Sequence, residues 1–412
     1  MLGVILLVSA LVSAQAVPAD VVQGADEKQS VRHKQFNNGL RIARDGYYSE
    51  SHLVTTSDGY ILELVRIPNK RFQFLNNPFA PKKPVVFLMH GLQGSSISYI
   101  TLGARRSLGP KTYNLADAGF DVWMGNARGV INSRNHVSLN PDNPKDAQKF
   151  FDYSFEDIAT KDLPTMIDYV LQRTKQDKLH YVGHSQGGTA FLVLNSLLPK
   201  YNDKFISADI LAGVGYQDHF PTDIVKSIAK ATDFLYNFAV RRGFLEIGIR
   251  FNQQIVGQSL DFDDSEALSS NTEVTLALQS LRSFLDGLLM LGRLEVLGEA
   301  SVKQFAHYGQ NIKDKSFRRW DYGPVENLRK YGRFQPPQYD LRLVTVDLTM
   351  HYAMSDILLS EKDVLNMAAV IPNAKVRKVA RDSFGHMDFI ISNDSKELVT
   401  DYVVNELKKR YE

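Results

Sequence analysis

The 412-residue chain has no cysteine, so no disulfide can staple it, and its stability must come from packing and hydrogen bonds alone. A chain this long buries a large enough core to do without them. It also lacks a dominant charge: 48 Lys and Arg against 46 Asp and Glu leave a formal net charge of +2. That balance argues against nucleic acid as a partner. No apolar run reaches the ~20 residues that a membrane span needs. Internal repeats and low-complexity tracts are absent, and Arg410-Tyr411-Glu412 carries no retrieval or prenylation signal.

The longest early apolar run, Leu2 to Val12, precedes Ser13-Ala14-Gln15-Ala16, whose small residues suit signal-peptide cleavage before Val17. The mature protein is therefore expected in a secreted or lysosomal setting. Asn393-Asp394-Ser395 is an N-glycosylation sequon consistent with that route.

Residues 17–50 read as a polar arm. Beyond it, β-rich runs on either side of Ser57-Asp58-Gly59 make a hairpin. Pro84 to Met89 and Phe120 to Met124 read as buried strands, Phe155 to Leu171 as a helix, Leu179 to Val182 as a strand, and Gln186 onward as a helix. This alternation predicts an α/β fold: a mostly parallel central sheet with helices on both faces. After about residue 212 the pattern turns helical without strands, with Val274, Leu278, Leu281, Phe284, Leu285, Leu288 and Leu289 on one stripe and Ile224, Ile228, Leu235 and Phe238 on another. Strands resume at Leu343 to Met350 and Val376 to Ala380, and a helix closes the chain from about Lys396. The expected layout is thus a signal peptide (1–16), an arm (17–50), a first core segment (51–214), a helical cap or lid insertion (215–315) and a second core segment (316–412).

Gly183-His184-Ser185-Gln186-Gly187 is a G-x-S-x-G sequence between a strand and a helix. Glycines two positions either side of the serine permit the strained turn that lifts its hydroxyl clear of the sheet. Serine there argues against haloalkane and epoxide chemistry on this fold, which uses aspartate. A serine hydroxyl needs a base held by a carboxylate. In this architecture the chain order is Ser, acid, His, with both partners on loops after late strands. Asp356 and His386 fit those places. Asp347 and Asp363 are rivals for the acid, placed inside a strand and in the following helix. His351 and His184 are rivals for the base, one before the acid at a strand end and the other beside the nucleophile on a turn that aims it elsewhere. Two backbone donors are expected for the developing oxyanion, the N–H of Gln186 and that of Leu92 in the loop His90 to Ser96.

These residues resemble the animal acid lipase family, which includes gastric and lysosomal acid lipases. The likeness is carried by Thr56 to Leu62, Met89-His90-Gly91-Leu92, Asp121 to Gly129, Ser133 to His136, Lys161-Asp162-Leu163-Pro164, His180 to Gly187 and Gly385 to Phe389. The resemblance implies an α/β-hydrolase fold and hydrolysis of triacylglycerols or sterol esters at a lipid–water interface, with no metal or organic cofactor. It places the nucleophile, acid and base on Ser185, Asp356 and His386, and the oxyanion donors on Leu92 and Gln186. Departures cluster in the cap, which lacks the family's cysteines, and in Tyr352 to Ser355, where paired glycines are usual. A lipase-like storage or lipid-carrier protein of the yolk type is the alternative. No oligomeric state follows from the sequence.

Overall fold

The computed structural model describes residues 39–68, 82–100, 111–248 and 298–412. The expected signal peptide, most of the arm and the stripe from Val274 to Leu289 lie outside the described residues. Among those described, no helix is long and apolar enough to cross a membrane.

The chain begins its sheet with a hairpin, β1 (Glu50–Thr55) and β2 (Tyr60–Ile67), paired antiparallel. Thr56 Oγ1 donates to Asp58 Oδ1 at 2.6 Å and accepts from Tyr60 N at 2.9 Å, while Gly59 takes φ +98°. That left-handed residue is why glycine closes the turn. Then follow β3 (Val85–Met89), helix α1 (Lys111–Asp117), β4 (Asp121–Gly125), the two-residue β5 (Asn135–His136), helix α2 (Leu163–Thr174), β6 (Leu179–His184), helix α3 (Gln186–Leu197) and β7 (Phe205–Leu211). Every residue of β3, β4 and β6 is buried, as continuous apolar runs in a sheet covered on both faces require.

The sheet order is β1-β2-β4-β3-β6-β7, continued by β10 (Leu348–Tyr352) and β11 (Ala374–Lys378), with β5 pairing β2. All pairs from β4 to β11 along this path are parallel. From β3 the chain steps outward to β4, then back across β3 to β6. Right-handed crossovers in opposite directions put the connecting helices on opposite faces, and the reversal opens a crevice at the carboxyl ends of β3 and β6.

The outer loops are fixed by a buried cation. Arg128, 1% exposed, donates from Nε and its backbone N to the two oxygens of Asp162 at 2.8 and 2.9 Å, and from Nη1 to Asp58 at 2.8 Å. Its guanidinium also lies over the Tyr60 ring at 4.0 Å. One side chain thus joins the hairpin turn, the loop after β4 and the π-turn Ile158–Asp162 that interrupts the helix expected from Phe155 to Leu171.

Three further details differ from the sequence-based expectation. Residues Leu341–Leu343 form a 3-10 turn capped by Asp340, whose carboxylate accepts from Arg342 N at 3.1 Å, so the strand starts only at Leu348. Asp347 accordingly precedes the strand rather than lying in it. β11 begins and ends two residues earlier than expected. The stretch after β7 holds helices α4 (Asp223–Lys230) and α5 (Thr232–Arg241), but also a short antiparallel ladder between β8 (Glu246–Ile247) and β9 (Ala300–Ser301). Two-residue ladders leave too little alternation to register as strands. Helix α6 (Val302–Lys313) follows at once and packs on α4 and α5; α7 (Glu361–Val370) and α8 (Asp401–Lys408) come after β10 and β11.

Candidate active site

Ser185 sits between β6 and α3 at φ +51°, ψ −115°, a conformation that side chains rarely adopt. The residues two positions either side of it have no room for anything but glycine. A Cβ on Gly183 would lie 2.7 Å from the Gly187 carbonyl carbon, and one on Gly187 would lie 2.2 Å from Met89 O. The helix thus starts tightly against the end of β3, and Ser185 N is held by Leu211 O at 2.9 Å. Strain of this kind persists only where surrounding structure over-determines it.

Two distant loops converge on that hydroxyl. His386 Nε2 is 2.7 Å from Ser185 Oγ, and His386 Nδ1 is 2.8 Å from Asp356 Oδ2. All three residues are under 10% exposed. The other Asp356 oxygen accepts from Leu358 N at 2.8 Å and Leu359 N at 3.1 Å, which aims the carboxylate. With a carboxylate at Nδ1, the ring proton sits there, leaving the Nε2 lone pair to accept from the serine.

Each rival has other work. His351 Nε2 meets Asp209 at 2.8 Å inside the sheet, and Asp363 accepts from His219 Nδ1 at 2.9 Å. Asp347 pairs with Arg410 and Lys375 at the surface. His184 donates from Nε2 to the backbone oxygen of His386 at 3.0 Å, so it supports the loop bearing that ring.

The loop after β3 lies against the serine. A Cβ on Gly91 would approach Ser185 Cβ to 3.0 Å, which brings the loop carrying Leu92 against the turn at Ser185. His90 anchors this loop: Ala127 N donates to its Nε2 at 3.1 Å, and its Nδ1 donates to Gly91 O at 2.8 Å.

A family model described as the α/β hydrolase fold matches residues 84–392, and one described as the partial α/β-hydrolase lipase region matches residues 41–103. Lipase 3 of Drosophila melanogaster is 34% identical over 380 residues, covering 90% of this chain and 92% of its own. Gastric triacylglycerol lipase of Bos taurus is 32% identical over 377 residues, covering 90% of each. The chain belongs to the acid lipase family.

In this acid lipase family member some supporting residues were not legible from sequence. Asp388 accepts from Gly385 N at 2.9 Å and pairs with Arg381 at 2.5 Å, bracing the turn that carries His386. Its position three residues after Gly385, typical of a local carboxylate-to-backbone turn, was the available signal. Ser355 Oγ donates to Asp382 O at 2.6 Å and ties the loop bearing Asp356 to the loop bearing His386. Nothing in the sequence marks that pair.

The His90 geometry gives a pH prediction. Burial pushes its pKa down to about 4, against the opposing bond to Gly91. An unfolded histidine titrates near ~6.5. Between those values the unfolded chain holds more protons, so the stabilisation from a neutral His90 is complete above the unfolded value and drains away as pH falls towards the folded one. Replacing His90 with Gln removes that dependence. The stability gap between wild type and His90→Gln should therefore narrow by about 1.4 kcal/mol per pH unit between roughly pH 6.5 and 4.5. Urea unfolding of both proteins across that range measures the gap, and a constant gap would contradict a neutral buried ring.

Proposed function

We propose that the protein hydrolyses lipid esters through an acyl-enzyme formed on Ser185. The observation that carries this reading is the unbroken relay from Asp356 through His386 to the Ser185 hydroxyl, at the carboxyl edge of the sheet. Relatives named as lipases support the substrate class.

In the reaction, Ser185 Oγ attacks the ester carbonyl carbon while its proton passes to His386 Nε2. Asp356 keeps the ring oriented and stabilises the imidazolium. The carbonyl oxygen gathers negative charge, for which the N–H groups of Gln186 and Leu92 are the proposed donors. Gln186 is the first residue of α3, so the helix's positive end adds to the field at that oxygen. As the bond to the alcohol oxygen breaks, His386 returns its proton to that oxygen. Water then attacks the acyl carbon, gives a proton to His386, and the carboxylic acid leaves as Ser185 regains its hydrogen.

A fluorophosphonate probe tests the reading directly. Stoichiometric labelling of Ser185, together with turnover of p-nitrophenyl butyrate, is expected. A folded protein that takes no label and turns over no ester would instead fit a lipid carrier.

The same reading includes passage through the secretory route, with the signal peptide cut near Ala16 and a glycan on Asn393. Asn393 is exposed, between the helix Asp388–Ile391 and the π-turn Lys396–Thr400, where a glycan has room. Protein from secretory cells should shift in gel mobility after N-glycosidase, and Asn393→Gln should not. An identical shift in both would remove the assignment.

A further inference from the structure

The chain returns from residues 249–297 along a short strap, Gly298 to Gln304, which touches both sides of the proposed oxyanion hole. At one end Gly298 N donates to Gln93 O, and Gln93 Nε2 donates back to Gly298 O at 3.3 Å. Gln93 adjoins Leu92 and takes φ +57°. At the other end Gln186 Nε2 donates to Gln304 Oε1 at 2.6 Å. Both glutamines are buried, at 4% and 2% exposed.

We infer that Gln304 is a positioning residue for the oxyanion hole, acting through the Gln186 side chain, and that Gly298 does the same for the Leu92 loop through Gln93. The inference rests on the reading of Ser185, Gln186 and Leu92 given above. Neither strap residue touches the reacting atoms.

The strap is itself anchored to the core. Ser301 caps α6, accepting from Gln304 N at 3.3 Å and donating to Tyr153 O at 2.6 Å. The adjacent Lys303 reaches Asp152 at 2.6 Å. One turn further along both helices, Tyr308 OH donates to Thr189 Oγ1 at 3.0 Å, a second tie between α6 and α3. The start of α3 is therefore held from the side by α6 while its backbone is strained at Ser185.

The glutamine pair has a feature that stability alone does not explain. Gln186 Oε1 is buried without a hydrogen-bond partner. An apolar pair of the same size would avoid that penalty. What the amide pair supplies is directional: it fixes the rotation of the residue whose N–H must face the oxyanion. The ladder β8–β9 pairs Ala300 and Ser301 of the strap with Ile247 and Glu246, a further anchor beside Gln304.

The test uses the full-length protein, p-nitrophenyl butyrate and the fluorophosphonate probe. Gln304→Met keeps volume but loses the acceptor. It should lower kcat about tenfold and leave KM within about twofold, since a misaimed donor weakens the transition state more than the ground state. Gly298→Ala, whose new Cβ would stand 3.3 Å from Gln93 O, tests the other end and serves if Gln304→Met does not fold; it too should lower kcat. A folded Gln304→Met with wild-type kcat overturns the inference, as does a folded Gly298→Ala with wild-type kcat where Gln304→Met does not fold. In either case Ser185 labelling in the wild type would leave the hydrolase reading standing. A wild type that takes no label removes both.

Discussion

Ser185→Ala should fold normally and lose ester turnover by about 10⁴-fold or more. The structure explains why the two effects separate. The hydroxyl makes one side-chain hydrogen bond, to His386, while the strained backbone is held by Leu211 O and by the packing of Gly183 and Gly187. Alanine keeps the same Cβ and backbone constraint, so thermal unfolding should move little. Chemistry, by contrast, loses its nucleophile. The hydroxyls of Ser95 and Ser98 in the loop after β3 are committed to capping the 3-10 turn Ser96–Tyr99. Steady-state turnover of p-nitrophenyl butyrate and phosphonate labelling both report the loss, with circular dichroism showing the fold. An alanine variant with wild-type turnover would mean that the reaction, if any, occurs elsewhere.

Much of the architecture was readable because the core strands are extreme cases. Val85 to Met89 and Asp121 to Gly125 are continuous buried runs, and the elbow glycines are forced by contacts that no other residue survives. Asp356 and His386 could be picked out as candidates by their order after late strands. Asp388 acts through a local turn, whereas Ser355 and His184 could not be found that way, because they act through contacts set by tertiary approach. The same holds for Gln304, which lies 118 residues from Gln186 and sits on a helix with no motif of its own. Boundaries failed where a side chain overruled the pattern. Asp340 captures Arg342 N and turns Leu341–Leu343 into a 3-10 turn, although the residues are β-compatible. Asp162 accepts from Arg128, and the helix containing it adopts a π-turn at that point.

Asp356→Asn is expected to cost about 10⁴-fold in kcat without unfolding the protein. Oδ1 of the present carboxylate is already occupied by Leu358 N and Leu359 N, so an asparagine oxygen would take that place. The amide nitrogen must then face His386 Nδ1, where the aspartate oxygen now accepts at 2.8 Å. Two donors cannot share that contact, so the imidazole proton moves to Nε2. In that tautomer Nε2 points a hydrogen at Ser185 and cannot take its proton. The defect is one of proton placement, and it should reduce the rate of phosphonate labelling along with kcat while KM and the melting temperature change little. Because the amide has no charge, the imidazolium formed during reaction also loses its counter-ion in a buried site, where such a pairing matters most. An Asn variant within about tenfold of wild-type kcat would show that another carboxylate orients the ring. Asp363 would be the one to examine next, although its present bonds to His219 give it no free geometry for the task.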